Sequence, residues 1–387
     1  MEELILSLGS RNIEVGNLIS QEITAGNYLK TLFRGPDALN YRRHPDIRFV
    51  ENLTIHFLPL RWQKNPVAKR LQNILRVTER KFKEYIEKYG KPDLIFHHGI
   101  FDYTYITRHL AAKFDIPYWY KEHSSYINSE HFPCSNDFET PEKLKEFVRH
   151  SGRRFAASAF YAEKMGAVFS VPFEVLHNVL TDQHFSHELE IRGTHSFVFL
   201  NVAIMLPAKN QQLIVRAFAK AFVADFPQCK LVIAGDGNLH STLETLCQEL
   251  GINEKVQILK FQNRSEIKTL LSKSHAFVLA SDLETFGVVL IEAMGFGLPV
   301  ISSRIPGPME LVNDKNGLFF EPGNVDELAE AMKTMVDQYR QFDQNAIKDQ
   351  IVREYGPDSA VQILMDHPLF SEKQSATGSQ DIPSTPP

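Results

Sequence analysis

Two glutamates eight positions apart are the residues of this chain best suited to hold a polar ligand. Glu284 and Glu292 lie in the run SDLETFGVVLIEAMGFGLPV (residues 281–300), which is apolar from 288 to 294 except at Glu292. An ionised carboxylate buried among apolar side chains is costly unless a partner hydrogen-bonds it. The pair therefore indicates a ligand site. The alternative is that Glu284 is a solvated loop residue and Glu292 pairs with a base in the core.

The glutamates belong to a predicted strand-loop-helix unit. The apolar run 275–280 predicts a strand, the polar residues after it a loop, and the apolar stretch from Gly287 a helix. A helix N-terminus carries free N–H groups and a partial positive charge, so it is a place for phosphate. Glu292 would lie about 7 Å along the helix, at roughly 1.5 Å per residue. A nucleotide-diphosphate sugar, which presents sugar hydroxyls, diphosphate and ribose hydroxyls in turn, fits this order.

A lysine is predicted to reach the same place. Lys209 follows the first strand of the C-terminal half by a short loop. Ligands of doubly wound sheets gather outside the carboxyl ends of the strands, where a positive charge offsets charge on a leaving phosphate. A surface lysine is the alternative. Nearby, Gly235-Asp236-Gly237 predicts a turn that brings the backbone close to the next helix.

Length and composition indicate a globular protein of two domains. The chain has 387 residues, 43% of them hydrophobic, and a net charge of -5 that argues against nucleic-acid partners. Three cysteines lack metal spacing, and no run approaches the roughly 20 apolar residues of a membrane span. The start lacks the basic region of a signal peptide. These features predict a cytoplasmic protein; basic residues at Arg42, Arg43 and 64–80 form a solvated helix face or meet an anionic membrane or a sugar-phosphate acceptor.

Strands and helices alternate along both halves, which predicts parallel sheets with crossover helices. The C-terminal strands are predicted at 196–203, 230–235, 256–260, 276–280, 299–303 and 317–320, and the helices between them include 210–226 and 239–250. The N-terminal strands are predicted at 4–8, 53–60, 92–98, 116–123, 153–158 and 173–178, with helices at 66–89, 103–113, 141–150 and 159–165. The predicted division is an N-terminal acceptor-side domain over 1–180, a linker over 181–195, a nucleotide-sugar-binding domain over 196–368 whose last helix can return to the first domain, and a disordered tail over 369–387.

The stretch from Phe197 to Met332 resembles the nucleotide-binding domain of the retaining glycosyltransferases of family 4 (glycosyl transferases group 1). The resemblance rests on Lys209-Asn210, LVIAGDG (231–237), the block 281–303, PGPMELV (306–312) and NGLFFEPGNVDELAEAM (316–332). In the first domain, RNIEVGN (11–17) resembles the glycine-bearing loop after the first strand, and IPYWYKEHSS (116–125) the strand that ends in a histidine. The resemblance implies an α/β GT-B fold, in which two Rossmann-like β/α/β domains face each other across a cleft.

The resemblance also implies roles for individual side chains. Glu284 would hydrogen-bond hydroxyls of the donor sugar, and Glu292 would hold the ribose hydroxyls. Lys209 would neutralise the diphosphate. His123 would lie beside the sugar and the acceptor, although a histidine that follows a strand is, outside this family, more often a structural residue.

Backbone groups would complete the site that the family implies. N–H groups of Phe286, Gly287 and Val288 would contact the sugar and diphosphate, and Gly16 would let the first-domain backbone approach the diphosphate. Neither a metal nor a cofactor is expected, and no Asp-x-Asp with metal-ligand surroundings appears.

Two positions depart from the family pattern. Ile204 stands where the family usually has an arginine that serves the diphosphate. The loss of one charge-assisted contact, worth ~1.5 to 3 kcal/mol, weakens donor binding unless another base such as Arg304 substitutes. Pro306-Gly307 replaces a Gly-Gly pair and stiffens its loop.

The predicted function is a retaining glycosyltransferase that moves a hexose from a nucleotide-diphosphate sugar to a hydroxyl of a polysaccharide, lipopolysaccharide or lipid-linked glycan. Its expected partners are the nucleotide sugar and this acceptor, with peripheral membrane association as an option. The alternative is an inactive sugar-nucleotide-binding subunit of a glycan assembly complex. A glycoside hydrolase with paired carboxylates and a nucleotide-sugar epimerase are lesser alternatives.

Overall fold

The computed structural model describes residues 15–22, 49–57, 67–99, 104–123, 127, 140–180, 185, 196–222, 228–356, 358–359 and 363–364. The chain divides into two compact units. Unit 1 comprises 1–157, 162–176 and 360–387, and unit 2 comprises 158–161 and 177–359. The predicted strand at 4–8 and tail at 369–387 lie outside the described residues, as does the predicted linker apart from Phe185.

The described part of unit 1 contains two parallel sheets. One pairs β1 (Val15–Glu22) with β2 (Phe49–Phe57). The other has the order β3-β4-β5-β6, with all three strand pairs parallel. Its strands are β3 (Ile95–His98), β4 (Tyr118–Lys121), β5 (Arg154–Ala156) and β6 (Glu174–Val175). Because the strands are parallel, the chain must cross back between them.

Helices provide the crossovers of unit 1. They are α1 (Val67–Tyr89), α2 (Thr104–Phe114), α3 (Pro141–His150) and α4 (Ala159–Phe169). Phe82 of α1 packs with Tyr105, Ile106 and Leu110 of α2 in one buried cluster. Thr140 caps α3, since its side chain accepts a hydrogen bond from the N–H of Lys143. Apolar positions at helical spacing on α1 and α2 thus pack against each other in the core of unit 1.

Unit 2 is built on one six-stranded parallel sheet in the order β12-β11-β10-β7-β8-β9. The strands are β7 (Phe197–Val202), β8 (Cys229–Ala234), β9 (Val256–Leu259), β10 (Ala276–Leu279), β11 (Val300–Ser303) and β12 (Gly317–Phe320). The order runs outward from β7 on one side through β8 and β9, and on the other side through β10. The sheet is therefore doubly wound, with its topological switch point between β7 and β10.

Helices connect these strands: α5 (Gln211–Phe222), α6 (His240–Glu249), α7 (Arg264–Lys273), α8 (Val288–Gly295), α9 (Pro306–Met309), α10 (Val325–Gln338) and α11 (Gln344–Tyr355). The core between sheet and helices is aromatic: Phe199 of β7 lies 5.6 Å, ring to ring, from Phe222 of α5. Asn263 begins α7 with a reciprocal capping box formed with Glu266. All six predicted strands of this unit are present, each within two residues of its expected ends.

The described helices include none that is long and apolar enough to cross a bilayer. Cys229 and Cys247 are free and buried, and burial raises the pKa of each thiol to about 11. Both cysteines are therefore protonated core residues near neutral pH.

Candidate functional site

An ion pair joins the two most informative loops of unit 2. Lys209 ends a short 3₁₀ turn (Pro207–Lys209) after β7, and Glu284 lies in the loop after β10. The Nζ atom of Lys209 is 2.5 Å from Oε1 of Glu284, and both side chains are largely buried, at 25% and 16% exposure. These residues are 75 positions apart in sequence but lie together because β10 pairs with β7. The pair thus stands at the switch point, where doubly wound sheets bind ligands.

A second contact ties the same loops together. The N–H of Asp282 donates to the carbonyl of Ala208 at 3.0 Å, and the side-chain amide of Asn210 donates to Oδ1 of Asp282. Asn210 adopts the left-handed conformation (φ 51°), which asparagine tolerates better than most residues. Sequence reasoning assigned no role to Asn210 or Asp282. The asparagine directly after the lysine was the available signal.

The loop after β10 leads into α8, as predicted. Gly287 is the residue before the helix and has φ +102°, a conformation that favours glycine. The first N–H groups of a helix have no partner within it. The N–H groups of Gly287 and Val288 lie at this helix start and that of Phe286 just before it, and their contact with a diphosphate stays a prediction.

The short helix α9 packs directly against this loop. A Cβ atom built on Gly307 would lie 2.8 Å from the backbone nitrogen of Phe286 and 2.9 Å from the carbonyl oxygen of Glu284. Only a glycine permits this close approach without a shift. The Pro306-Gly307 pair therefore supports the backbone that carries Glu284.

Glu292 lies in the second turn of α8 and is only half-buried, whereas Ile291, Ala293 and Met294 are buried. The expectation that its apolar neighbours enclose this carboxylate is therefore wrong. In a helix, adjacent residues point in different directions, so one position can face outward while its neighbours pack inward. Glu292 remains placed to meet a ligand at the helix surface, and its role with ribose stays a prediction.

The glycine turn after β8 lies against the backbone of the segment that follows β7. Gly235 and Gly237 have φ +157° and +152°, and a Cβ on them would lie 1.9 Å from the carbonyl oxygen of Ala203 and 2.3 Å from that of Met205. The turn thus passes close to the residues that follow β7, and its approach to the following helix stays a prediction. It holds the segment that leads to Lys209.

The position of the missing arginine is occupied by an exposed side chain. Ile204, just after β7, is 53% exposed. Arg304, the suggested substitute, is engaged elsewhere: its Nε lies 3.0 Å from Oε1 of Glu321, and its guanidinium stacks on Phe319 at 4.6 Å. These contacts do not favour Arg304 as the replacement, because an arginine that serves the diphosphate would have to leave both partners.

In unit 1 the predicted histidine belongs to a partly buried polar cluster at the carboxyl ends of β3 and β4. Nδ1 of His98 lies 2.9 Å from Nε2 of His123, and the two rings are nearly parallel with centroids 5.2 Å apart. Glu122, fully buried, accepts hydrogen bonds from the N–H of His123 at 2.8 Å and from the hydroxyl of Tyr120. Sequence reasoning assigned no role to His98 or Glu122, although both lie in its predicted strands.

Burial governs the ionisation of this cluster. It lowers the pKa of His123 to about 3, with a contribution from the charge of Lys121. Burial, followed by the charges of His123 and Lys121, lowers the pKa of His98 well below its usual range. Burial also lowers the pKa of Lys121 to about 7. Both histidines are therefore neutral near pH 7, and each ring carries one proton.

Gly16 is not in a loop. The structure places it near the start of strand β1, paired in parallel with β2. The segment 11–17, expected to be the loop after the first strand, enters a strand that was not predicted, because its polar composition hid the β pattern. The approach of this glycine to a diphosphate stays a prediction.

These features together define an α/β protein of the GT-B class. A solved structure of Anabaena HepE in complex with UDP superposes with a TM-score of 0.68 and 18% identity, covering 97% of this chain and 96% of that one. At this identity the likeness is one of fold. It confirms the predicted fold class.

Residues 184–349 match the model of the family described as glycosyl transferases group 1. An uncharacterized glycosyltransferase of Methanocaldococcus jannaschii is 33% identical over 154 residues, 39% of each chain. A Campylobacter jejuni N-acetylgalactosamine-N,N'-diacetylbacillosaminyl-diphospho-undecaprenol 4-alpha-N-acetylgalactosaminyltransferase is 31% identical over 167 residues, 42% of this chain and 44% of that one. The chain thus matches less than half the length of either relative. The predicted resemblance to the family is confirmed.

Proposed function

We propose that this protein is a retaining glycosyltransferase that moves a hexose from a nucleotide-diphosphate sugar to a hydroxyl of a glycan or lipid-linked acceptor. The proposal rests chiefly on one observation: the contact between Lys209 and Glu284 at the switch point of the unit 2 sheet. A cation and a carboxylate side by side, next to a helix N-terminus, match a ligand with a diphosphate next to sugar hydroxyls. The family match over 184–349 supports the same class of reaction.

Each group has a distinct task in this proposal. Lys209 and the N–H groups at the start of α8 bind the diphosphate, Glu284 accepts hydrogen bonds from sugar hydroxyls, and Glu292 holds the ribose. When the bond between the anomeric carbon and the phosphate oxygen breaks, negative charge grows on the diphosphate. Donors already aimed at that charge stabilise the transition state more than the ground state.

The acceptor hydroxyl would attack the anomeric carbon from the face that the diphosphate leaves, so the new bond keeps the original configuration. The proton of the hydroxyl passes to the departing phosphate oxygen. Atoms and charges balance without a further reactant. Proximity of acceptor and donor would supply much of the rate.

A relative and a structural neighbour suggest which class of donor to test first. The Campylobacter relative is named for N-acetylgalactosamine transfer, and the Anabaena structure contains UDP. We therefore propose uridine diphosphate sugars as the first donors to test, followed by guanosine diphosphate sugars. A bound donor stabilises the folded protein by mass action, so a thermal-shift screen identifies it.

Replacement of the two binding side chains tests the site. We expect Lys209→Ala and Glu292→Ala to lower kcat/KM for the donor about 10- to 100-fold, because each removes a charge-assisted contact worth ~1.5 to 3 kcal/mol. Lys220→Ala is the matched control, since Lys220 forms an exposed ion pair with Asp326 in the same unit. If both site variants turn over nucleotide sugars as fast as the wild type, the assignment is wrong.

Exposed Ile204 favours a second function, a sugar-nucleotide-binding subunit without turnover. An apolar residue where the family usually has arginine leaves the diphosphate with less positive charge in the transition state. Calorimetry with nucleotide sugars beside a product assay separates the two functions. Binding without product in the presence of diverse acceptors would favour the subunit.

A further inference from the structure

We propose that His98 is a positioning residue, which holds the ring of His123 in one orientation and one protonation pattern for glycosyl transfer. This inference rests on the proposed function, in which His123 lies beside the sugar and acceptor. The observation that carries it is the hydrogen bond between Nδ1 of His98 and Nε2 of His123, 2.9 Å long.

The backbone places these rings side by side. Strands β3 and β4 pair in parallel with His98 opposite Lys121, and the N–H of Gly99 donates to the carbonyl of Lys121 at 2.8 Å. The N–H of Glu122 donates to the carbonyl of Phe155 at 2.9 Å, so the chain just before His123 is tied to β5 as well. The nearly parallel rings, inclined by 16°, are thus mounted on two adjacent, hydrogen-bonded strand ends.

The hydrogen bond also couples the tautomers of the two neutral rings. When Nδ1 of His98 donates, Nε2 of His123 accepts, and Nδ1 of His123 must carry the proton of that ring. When Nε2 of His123 donates instead, its Nδ1 becomes an acceptor. Whether the free Nδ1 of His123 donates a hydrogen bond to a substrate or accepts one is therefore set by the position of the proton in the shared bond.

Burial and nearby positive charges keep both rings neutral. The positive charge of Lys121 acts on both rings, that of His97 acts on His98, and Glu122 accepts a hydrogen bond from the backbone N–H of His123. Burial and the charge of Lys121 disfavour a second proton on either ring. With both rings neutral, one proton lies in the hydrogen bond between them, and this bond orients the ring of His123.

His98→Phe tests this role, because phenylalanine keeps a ring of similar size and removes its nitrogens. We expect kcat to fall about 10- to 100-fold, as for a modest misplacement of a reacting group, with little change in the donor KM. In nitrogen-15 spectra of the imidazoles near neutral pH, the bridging N–H signal on the His98–His123 pair should disappear. His98→Asn, which keeps a hydrogen-bonding atom near the place of Nδ1, should restore part of kcat.

His97→Asn is the matched control on the same strand. His97 bonds to Oγ1 of Thr107 at 2.9 Å rather than to His123, so this variant should keep the bridging signal and kcat. The inference is overturned if His98→Phe retains wild-type kcat, if the wild type shows no bridging N–H, or if His97→Asn loses as much kcat as His98→Phe. Failure of the proposed function looks different: the wild type would make no product from any donor, while the spectra would still report the pair.

Discussion

Lys209 and Glu284 lie in contact, so the charge of each side chain is balanced by that of the other. A diphosphate that binds Lys209 must therefore compete with Glu284 for the ammonium group. Sugar hydroxyls, in contrast, need the carboxylate. A nucleotide-diphosphate sugar satisfies both residues, because its diphosphate replaces Glu284 as the partner of Lys209 and its sugar hydroxyls donate hydrogen bonds to Glu284.

This competition predicts opposite effects of two substitutions on nucleoside diphosphate binding. Glu284→Gln should bind UDP up to about tenfold more tightly, because Lys209 loses its carboxylate partner, and UDP lacks the transferred sugar whose hydroxyls would need that carboxylate. Lys209→Met should bind UDP more weakly, and Glu284→Gln should transfer sugar more slowly. Calorimetry with UDP measures the first two effects and a product assay the third.

Asp326→Asn is the control for that experiment, since it removes the exposed partner of Lys220 in the same unit. It should leave UDP binding unchanged. Weaker UDP binding in Glu284→Gln than in the wild type would contradict the competition between the carboxylate and the diphosphate.

At the scale of elements, the site is held by turns and short helices rather than by long ones. The loop that carries Glu284 is anchored by Asp282 on one side and rests against Gly307 on the other. The turn at Gly235 and Gly237 lies close to the backbone of the segment before Lys209. Close backbone contacts of this kind allow little movement, so they position the binding groups before a ligand arrives.

Gly307→Ala should disturb this arrangement. Its Cβ would lie 2.8 Å from the nitrogen of Phe286, so we expect the loop to shift, donor affinity to fall about tenfold or more, and stability to fall by about 1–3 kcal/mol. Calorimetry and urea unfolding measure the two effects. Gly323→Ala is the control. Its φ of +78° is strained for alanine, but no atom lies within 4 Å of the added Cβ, so this variant has the backbone strain without the close contact. Wild-type donor affinity in Gly307→Ala would show that the close approach is not needed.

At the scale of the whole molecule, unit 1 has buried bases and unit 2 contains the diphosphate-binding groups of the proposal. Burial lowers the pKa of His97 to about 4, from 6.5 in model peptides. The unfolded chain then binds more protons than the folded chain between these two values. The stability that neutral His97 contributes is present above pH 6.5 and is lost as the pH falls towards 4.

The free energy of unfolding of unit 1 in urea should therefore fall between pH 7 and pH 5. The slope of this free energy against pH should be shallower in His97→Asn. Both tryptophans, Trp62 and Trp119, belong to unit 1, so their fluorescence follows this unit. His150→Asn is the control: this exposed histidine bonds to a carbonyl of its own helix, and its replacement should keep the wild-type slope. An equal slope in His97→Asn and the wild type would contradict the burial of a neutral ring.

Local pattern in the amino-acid sequence was sufficient to predict the strands of unit 2 and the helix after Gly287, and to select Lys209 and Glu284 as candidate site residues. Hydrophobic periodicity and glycine positions are local properties, so they can be seen in one sequence. The same reasoning missed β1, because a strand with polar residues has no clear alternation.

Only the tertiary structure decided which of these residues meet. The order β10-β7 brings Lys209 to Glu284 across 75 positions, and the pairing of β3 with β4 brings His98 to His123. The tertiary structure also shows that Glu292 is half-buried and that Arg304 forms an ion pair with Glu321. Contacts between distant segments depend on strand order and packing, which no short window of sequence contains.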